Sequence, residues 1–393
     1  MNPNKTIFSQ LMDFISRYEF YKSVKRYNGH YKVHNFTCWE QFLCMSFAQL
    51  TYRESLRDIE ACLRSAHKKL CHAGIHSKVS RSTLAKANEN RDWRIYRDLG
   101  YMLINRAIEL YSNDDFAVSL KNIVYALDST TVELCVSLFP WAVYSKEHAA
   151  VCMHTLLNLR GNIPSVIVIT DKSVSELKVL DQLLIEQGAI YILDRGYIDY
   201  ARLYNIHQNR AFFVTRAKSA FSFKRLYSQK IDKATGIQCD QIGKINDKNT
   251  KKLFPDKLRR IKYFDQQTQK QLVFFTNNMT FSAKTIAELY RSRWQIELFF
   301  KWIKQHLRIK AFFGRTENAV KTQIWIAVST YVLVAIVKKE LKIDLNLYTI
   351  LQILSVSLFE KTSIYRLFSD SDYKTLNSNT QLPLFSVVAT TGQ

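Results

Sequence analysis

Glycine and proline are scarce, with 10 and 5 copies in 393 residues. That scarcity excludes collagen-like and Gly/Pro-rich disordered chains. Cysteine offers no framework either. Cys38, Cys44, Cys62, Cys71, Cys135, Cys152 and Cys239 are odd in number and contain no Cys-x-x-Cys pair. Such a set argues against disulfide scaffolds and zinc ribbons and for free thiols in a reducing compartment. Long apolar runs are lacking as well. The longest, Ile324 to Val337, spans 14 residues and includes Ser329 and Thr330, which is short for a membrane span and suits a buried helix. The opening Met1-Asn2-Pro3-Asn4-Lys5 has no charged-then-apolar signal pattern. Acidic residues are in deficit, 34 against 56 Lys and Arg, for a net charge of +22. The expectation is a soluble cytoplasmic chain with a polyanionic partner, nucleic acid before membrane surface. What is present is core material, 47% apolar and 13% aromatic, on a length that suits two or three domains.

Residues 1–115 read as helices. Trp39–Leu50 carries apolar residues at helical spacing behind Thr37 as N-cap, and Tyr52–Leu63 continues with Leu56, Ile59 and Leu63 on one stripe. His72-Ala73-Gly74-Ile75 reads as a turn before a polar helix start at Ser80–Asn88. That arrangement fits either a DNA-reading helix-turn-helix or an ordinary surface helix. Beyond residue 120, strands are predicted at Ile123–Leu127, Leu134–Leu138, Ala149–Leu159, Ser165–Thr170, Ala189–Leu193, Ala211–Thr215 and Leu272–Thr276. Helices are predicted at Ser175–Gln187 and Tyr197–Gln208. The alternation predicts an α/β domain over 116–345. Within it, residues 216–262 hold 14 Lys or Arg against 4 Asp. They read as a basic, β-rich insertion, at about 216–275, suited to phosphate contact. Ser282 caps a helix that runs with one break to Leu307, and Ala319–Lys338 is the buried helix. Residues 346–393 read as a C-terminal helix and a loosely held polar tail.

Chemistry concentrates in three places. Asp128 follows Val124-Tyr125-Ala126-Leu127, and Asp194 follows Ile190-Tyr191-Ile192-Leu193. An acid at a strand's carboxyl end lies at the open edge of an α/β sheet, where ligands bind. Singly, either Asp reads as well as a turn former. The third place is Tyr290, Arg293, Glu297 and Lys304, offset by 3, 7 and 14 residues. On one helix these fall within roughly 60° of each other, with Leu289, Trp294, Phe299 and Ile303 packing behind. Three carboxylates at a sheet edge form a hard oxygen cage for Mg²⁺. Two such ions, roughly 3.5–4 Å apart, can activate water or a 3′-hydroxyl against a phosphodiester. Arg293 and Lys304 would hold the neighbouring phosphates. Glu133 and Asp199 read as surface acids, and His148 and His154 receive no role.

The pattern Tyr290-x2-Arg293-x3-Glu297-x6-Lys304 resembles the signature of the insertion-sequence-four transposases, within the DDE superfamily. Asp128, in Leu127-Asp128-Ser129-Thr130, is similar to the family's first catalytic Asp. Asp194, in Leu193-Asp194-Arg195-Gly196-Tyr197, is similar to the second, and Glu297 to the Glu. The separations are 194 − 128 = 66 and 297 − 194 = 103. The long second gap resembles that of members whose core carries a β-rich insertion. The resemblance implies an RNase H-like, retroviral-integrase-like core behind an all-α DNA-binding domain. It implies two Mg²⁺ ions, with Mn²⁺ as substitute, on Asp128, Asp194 and Glu297, and phosphate contacts from Tyr290, Arg293 and Lys304. It further implies binding of terminal inverted repeats, cut-and-paste cleavage and strand transfer on double-stranded DNA, a homodimer pairing two ends, and work on a bacterial nucleoid. A catalytically inactive DNA-binding descendant and a nuclease that cuts without joining are the competing readings.

Overall fold

The computed structural model describes residues 5–114, 120–218, 222–305 and 312–369, with backbone alone at residues 67, 68 and 305. The predicted tail beyond residue 369 and the helix end at Leu307 lie outside the described residues. The described residues up to Tyr111 form α1 (Ile7–Met12), α2 (Arg17–Arg26), α3 (Cys38–Leu50), α4 (Leu56–Ser65), α5 (His67–Ala73), α6 (Arg81–Asn90) and α7 (Arg94–Tyr111). Thr37 caps α3 as expected. Its hydroxyl accepts from the Glu40 amide, and the Glu40 carboxylate accepts from the Thr37 amide at 2.9 Å. The stripe of Leu56, Ile59 and Leu63 is buried, but on a separate helix, because Ser55 starts α4 afresh with its own cap. The expected turn at 72–75 begins later, since α5 runs to Ala73 and Gly74 takes the left-handed conformation at φ +87°. The link to α6 is residues 74–80, longer than a helix-turn-helix turn. Glu40 pins it by accepting from the amides of His76 and Ser77 at 3.0 and 2.9 Å.

The remainder runs β1 (Val124–Leu134), β2 (Val143–Ser145), β3 (His148–Asn158), β4 (Ile163–Asp171), α8 (Glu176–Leu180), β5 (Ile190–Leu193), α9 (Tyr200–Gln208), β6 (Phe212–Arg216), β7 (Phe223–Ser228), β8 (Ile237–Ile245), α10 (Lys248–Leu253), β9 (Leu258–Asp265), β10 (Lys270–Thr276), α11 (Ala283–Ser292), α12 (Trp294–Gln305), α13 (Glu317–Glu340), α14 (Leu347–Ser357) and α15 (Ile364–Ser369). The architecture is mixed α/β, as predicted. β4, β3 and β1 pair antiparallel in that order, and β5 and β6 then pair parallel to β1. The predicted insertion does not stand apart from this sheet. β10 pairs with β6, and β9, β8 and β7 follow antiparallel, so all ten strands form one sheet.

Strand parity separates two layers. Val124, Ala126, Ile190 and Ile192 share one apolar cluster with α7, α12 and α13. Tyr125, Leu127, Tyr191 and Leu193 face the opposite side, with Leu180 of α8 and Leu203 of α9. The predicted buried helix is α13. It is long and apolar enough to cross a membrane, and 94% of its apolar window is buried inside the protein. Trp325 of α13 lies against α7 at Gly100, where a Cβ would sit 2.8 Å from the indole.

Three element boundaries depart from the sequence reading. β1 does not stop before Asp128 but continues to Leu134, because β3 supplies partners along its whole length. The second strand candidate, Leu134–Leu138, is therefore the end of β1 followed by a turn. The helix expected over 175–187 ends at Leu180, and tertiary bonds take the rest of that segment. Arg202 binds the Asp181 carboxylate with two hydrogen bonds of 2.8 and 2.7 Å, and the Tyr191 hydroxyl accepts from the Glu186 amide at 2.9 Å.

One buried ion pair ties the far strands to the helix after them. Arg259 of β9 is 2% exposed and binds Asp240 of β8 through two hydrogen bonds, 2.8 and 2.6 Å. Its other arm donates to the carbonyl of Phe281, next to the Ser282 cap of α11. Arg259→Ala leaves Asp240 buried and unpaired. The expected loss is about 3–5 kcal/mol of stability in chemical denaturation. A variant within about 1 kcal/mol of the parent would contradict this account.

Candidate active site

β1 and β5 are parallel neighbours, with Leu127 in register with Leu193. Asp128 and Asp194 each come one residue later. β5 ends at Leu193 while β1 runs on, so the open edge is made by the end of β5 and not by that of β1. By parity both aspartates belong to the layer of α11 and α12.

Those helices bring the rest of the constellation. The break expected in this helical stretch falls at Arg293, between the end of α11 at Ser292 and the start of α12 at Trp294, so the four residues do not share one helix. The break re-aims the chain, and the four residues still reach one edge. Tyr290 Oη donates to Asp194 Oδ1 at 3.4 Å. Arg293 Nη1 donates to Asp128 Oδ2 at 2.9 Å, and its Nη2 donates to Glu297. Lys304 Nζ donates to the Thr131 carbonyl of β1 at 2.6 Å. Leu289, Phe299 and Ile303 pack behind, as predicted, and Trp302 is buried with them. Trp294 does not join them and is 48% exposed, since it is the first residue of α12, where the helix has just turned.

Electrostatics mark Asp128. Burial pushes its pKa up to about 6. The Ser129 amide, which donates to Oδ1 at 2.8 Å, and the Arg293 guanidinium pull the other way. The charges of Asp194 and Glu297 push it up again. Three acids thus sense one another at this edge. They do not close on a common point among the described residues, because Arg293 stands between Asp128 and Glu297. A cation already bridges two of the three carboxylates, and the donors are hard oxygens. That chemistry fits a divalent metal such as Mg²⁺.

The other sequence candidates separate cleanly. Asp199 caps α9 and lies 3.3 Å from Arg202. Glu133 is exposed. His148 is exposed at the start of β3. His154 is buried in β3, with Nε2 3.1 Å from the Thr170 hydroxyl, and burial holds its pKa down. One neighbour of the site was missed. Ser129 Oγ donates to Glu176 Oε1 at 2.6 Å, behind Asp128. Glu176 lies 47 residues from Ser129, and nothing in its local sequence signals the contact.

Comparison with known proteins bears on this edge. The family profile described as "Transposase DDE domain" matches residues 119–333, and one described as "Domain of unknown function (DUF4372)" matches residues 3–76. A putative transposase of Sinorhizobium fredii is 34% identical over 244 residues, which is 61% of this chain and 67% of that protein. A probable insertion-sequence transposase of Geobacillus stearothermophilus is 33% identical over 213 residues, 53% of this chain and 54% of the relative. A putative insertion-sequence transposase of a Synechocystis species is 24% identical over 321 residues, 79% of this chain and 86% of the relative.

The Asp128 shift sets a pH dependence. The ordinary carboxyl value is 3.8 and the folded value is about 6. The folded protein therefore holds this proton more tightly than the unfolded chain does. Its contribution to stability is full below about pH 4 and is lost as pH rises through about 6. The shift corresponds to about 3 kcal/mol. In metal-free protein, denaturation at pH 4 to 7 is expected to show Asp128→Asn gaining on the parent as pH rises. Parallel curves for the two proteins would count against the shift.

Proposed function

This chain belongs to the DDE transposases, and we propose on that premise that it is an enzyme of the insertion-sequence-four type that moves its own element by cutting and joining DNA. The observation that carries the reading is the convergence of Asp128, Asp194, Tyr290, Arg293 and Glu297 from three distant segments at one sheet edge. The strand order supports an RNase H-like core, with three antiparallel strands followed by two parallel ones, and the acids stand where the parallel pair opens.

A DDE domain implies a divalent metal. Asp128, Asp194 and Glu297 would hold it, as two Mg²⁺ ions or with Mn²⁺ in their place. Bound there, such ions activate a water or a 3′-hydroxyl and stabilise the leaving oxygen of a phosphodiester. The remaining work belongs to this chain's own cations. Arg293 is the flat, doubly donating group suited to the phosphate beside the cleaved bond. It can leave Glu297 for that phosphate while keeping Asp128. Lys304 and Tyr290 would fix the flanking phosphates. No covalent link to a protein side chain is needed for hydrolysis followed by transfer.

Partners follow from charge. The chain would bind the terminal inverted repeats and the target as double-stranded DNA, in the bacterial cytoplasm, as a homodimer that pairs two ends. The N-terminal helices, 1–115, would supply end recognition. In support, α2, the segment after it and α6 enclose a cavity of about 1100 Å³ whose lining includes Lys25, Lys32 and Lys86. The strands β7 to β9 carry further basic residues and would follow the backbone. Such contacts make affinity fall with salt.

The test uses labelled DNA from the flanks of the gene, with Mg²⁺ and the purified full chain, beside Glu297→Gln. The parent is expected to cut at a defined flank position and to give joined product. The variant is expected to bind equally and to lose about 10²–10³-fold or more in both steps. Equal binding with no cleavage by either protein would favour the inactive DNA-binding descendant. Cleavage without joined product would favour the nuclease.

A further inference from the structure

Behind the Asp128 strand lies a polar cluster on the layer opposite to Arg293 and Glu297. Strand alternation turns Ser129 away from Asp128 and toward α8. There Ser129 Oγ donates to Glu176 Oε1 at 2.6 Å, while its backbone amide donates to Asp128 Oδ1 at 2.8 Å. Ser129 is therefore joined to an aspartate on one side and a glutamate on the other.

Tyr197 approaches the same place from the second acidic segment. It follows Asp194 by three residues, and its amide donates to the Asp194 carbonyl at 3.0 Å. The side chain is 1% exposed. Its hydroxyl is buried beside the Ser129 side chain, without a hydrogen bond of normal geometry among the described residues. The charges that reach it come first from Glu176, then from Asp128 and Asp194. Between Tyr197 and Asp194 stands Gly196, where a Cβ would lie 3.5 Å from Glu176 Oε2. The second carboxylate oxygen of Glu176 thus sits beside the Asp194–Tyr197 turn. An unpartnered buried phenol carries a cost that an acceptor removes. The Ser129 hydroxyl, itself bonded to Glu176, is the polar group that reaches it.

We propose that Glu176 is a positioning residue for the two aspartates, holding the Asp128 segment through Ser129 and the Asp194 segment through Tyr197. It acts through those side chains and touches neither substrate nor metal. Lys172, 3.9 Å from Glu176 Oε1, and Ser175, which caps α8, keep the carboxylate at the end of its short helix. The spacing between Asp128 and Asp194 is then set from behind the sheet, by one side chain that bonds to Ser129 and lies beside Gly196 in the Asp194–Tyr197 turn. This rests on the reading that Asp128 and Asp194 hold a divalent metal.

The experiment is titration of Mn²⁺ alone into the full chain by calorimetry, with the thermal midpoint measured alongside. Groups that orient metal ligands from outside typically cost 10- to 100-fold in metal affinity when removed. Glu176→Ala is expected to weaken Mn²⁺ binding by about 10-fold or more, with the midpoint moving little. Ser129→Ala and Tyr197→Phe are each expected to weaken it less. Adding Ser129→Ala to Glu176→Ala is expected to cost nothing further, because both act through one contact. If the alanine variant folds poorly, Glu176→Gln serves. It keeps the volume but replaces one acceptor with a donor, and it too is expected to weaken Mn²⁺. Parent-like affinity in the Glu176 variants, with binding still lost in Asp128→Asn, would overturn the positioning role and leave the metal site standing. Affinity unchanged in Asp128→Asn would overturn both.

Discussion

The gathering of three carboxylates at one partly buried edge is the constraint on which the site depends. Asp128 and Asp194 project side by side from parallel strands, and Glu297 reaches the same edge from α12. Negative charges at such spacing cannot all ionise without compensation. The Asp128 pKa, driven up to about 6 by burial and kept from going further by Arg293, records the balance. An edge of this kind is unstable in isolation and becomes stable on gaining a cation. Arg293 supplies one positive charge within the chain. A divalent ion would supply more, and DNA phosphates would then draw on the arginine. The surplus of basic residues elsewhere has the same logic at longer range, since it attracts a polyanion toward an edge that would otherwise repel it.

The sheet makes that edge possible by keeping two jobs on two faces. Even-numbered positions of β1 and β5 carry the apolar contacts with α12 and α13 and then the two aspartates. Odd-numbered positions carry the contacts with α8 and α9 and then Ser129. One strand thereby presents charge on one side and supports it from the other. The extension of the sheet through β10, β9, β8 and β7 has a related consequence. Arg259 links two of those strands to the residue before the Ser282 cap, so the basic strands and the start of α11 are tied by one buried side chain.

Much of the site was legible because its residues advertise themselves locally. Two apolar runs each ending in Asp, and Tyr, Arg, Glu and Lys at helical spacing, are features of short windows. The family resemblance rested on the same windows. What the sequence hid was long-range. Asp128 looked like a strand end because Ser129, Thr130 and Thr131 interrupt the apolar run. β3 nevertheless pairs with all of them, and cross-strand bonds do not require apolar side chains. Residues 175–187 had a helical pattern, yet Arg202 ties down the Asp181 side chain and the Tyr191 hydroxyl takes the Glu186 amide that a helix would have used. Trp294 looked like core because the sequence did not place the helix break at Arg293.

Glu176 marks the limit of that legibility. It is one acid among many on a short helix, distinguished only by what folding brings beside it. Its partners, Ser129 and Tyr197, both lie inside motifs that were quoted for their aspartates, and their own chemistry was silent until the sheet turned them to the back. A catalytic acid must face its substrate, so it tends to sit in a recognisable local pattern. A residue that holds the acid in place is chosen by the packing of a different layer and is free to come from anywhere in the chain. Motifs therefore expose the face of a site that meets DNA, and only the fold exposes the face that supports it.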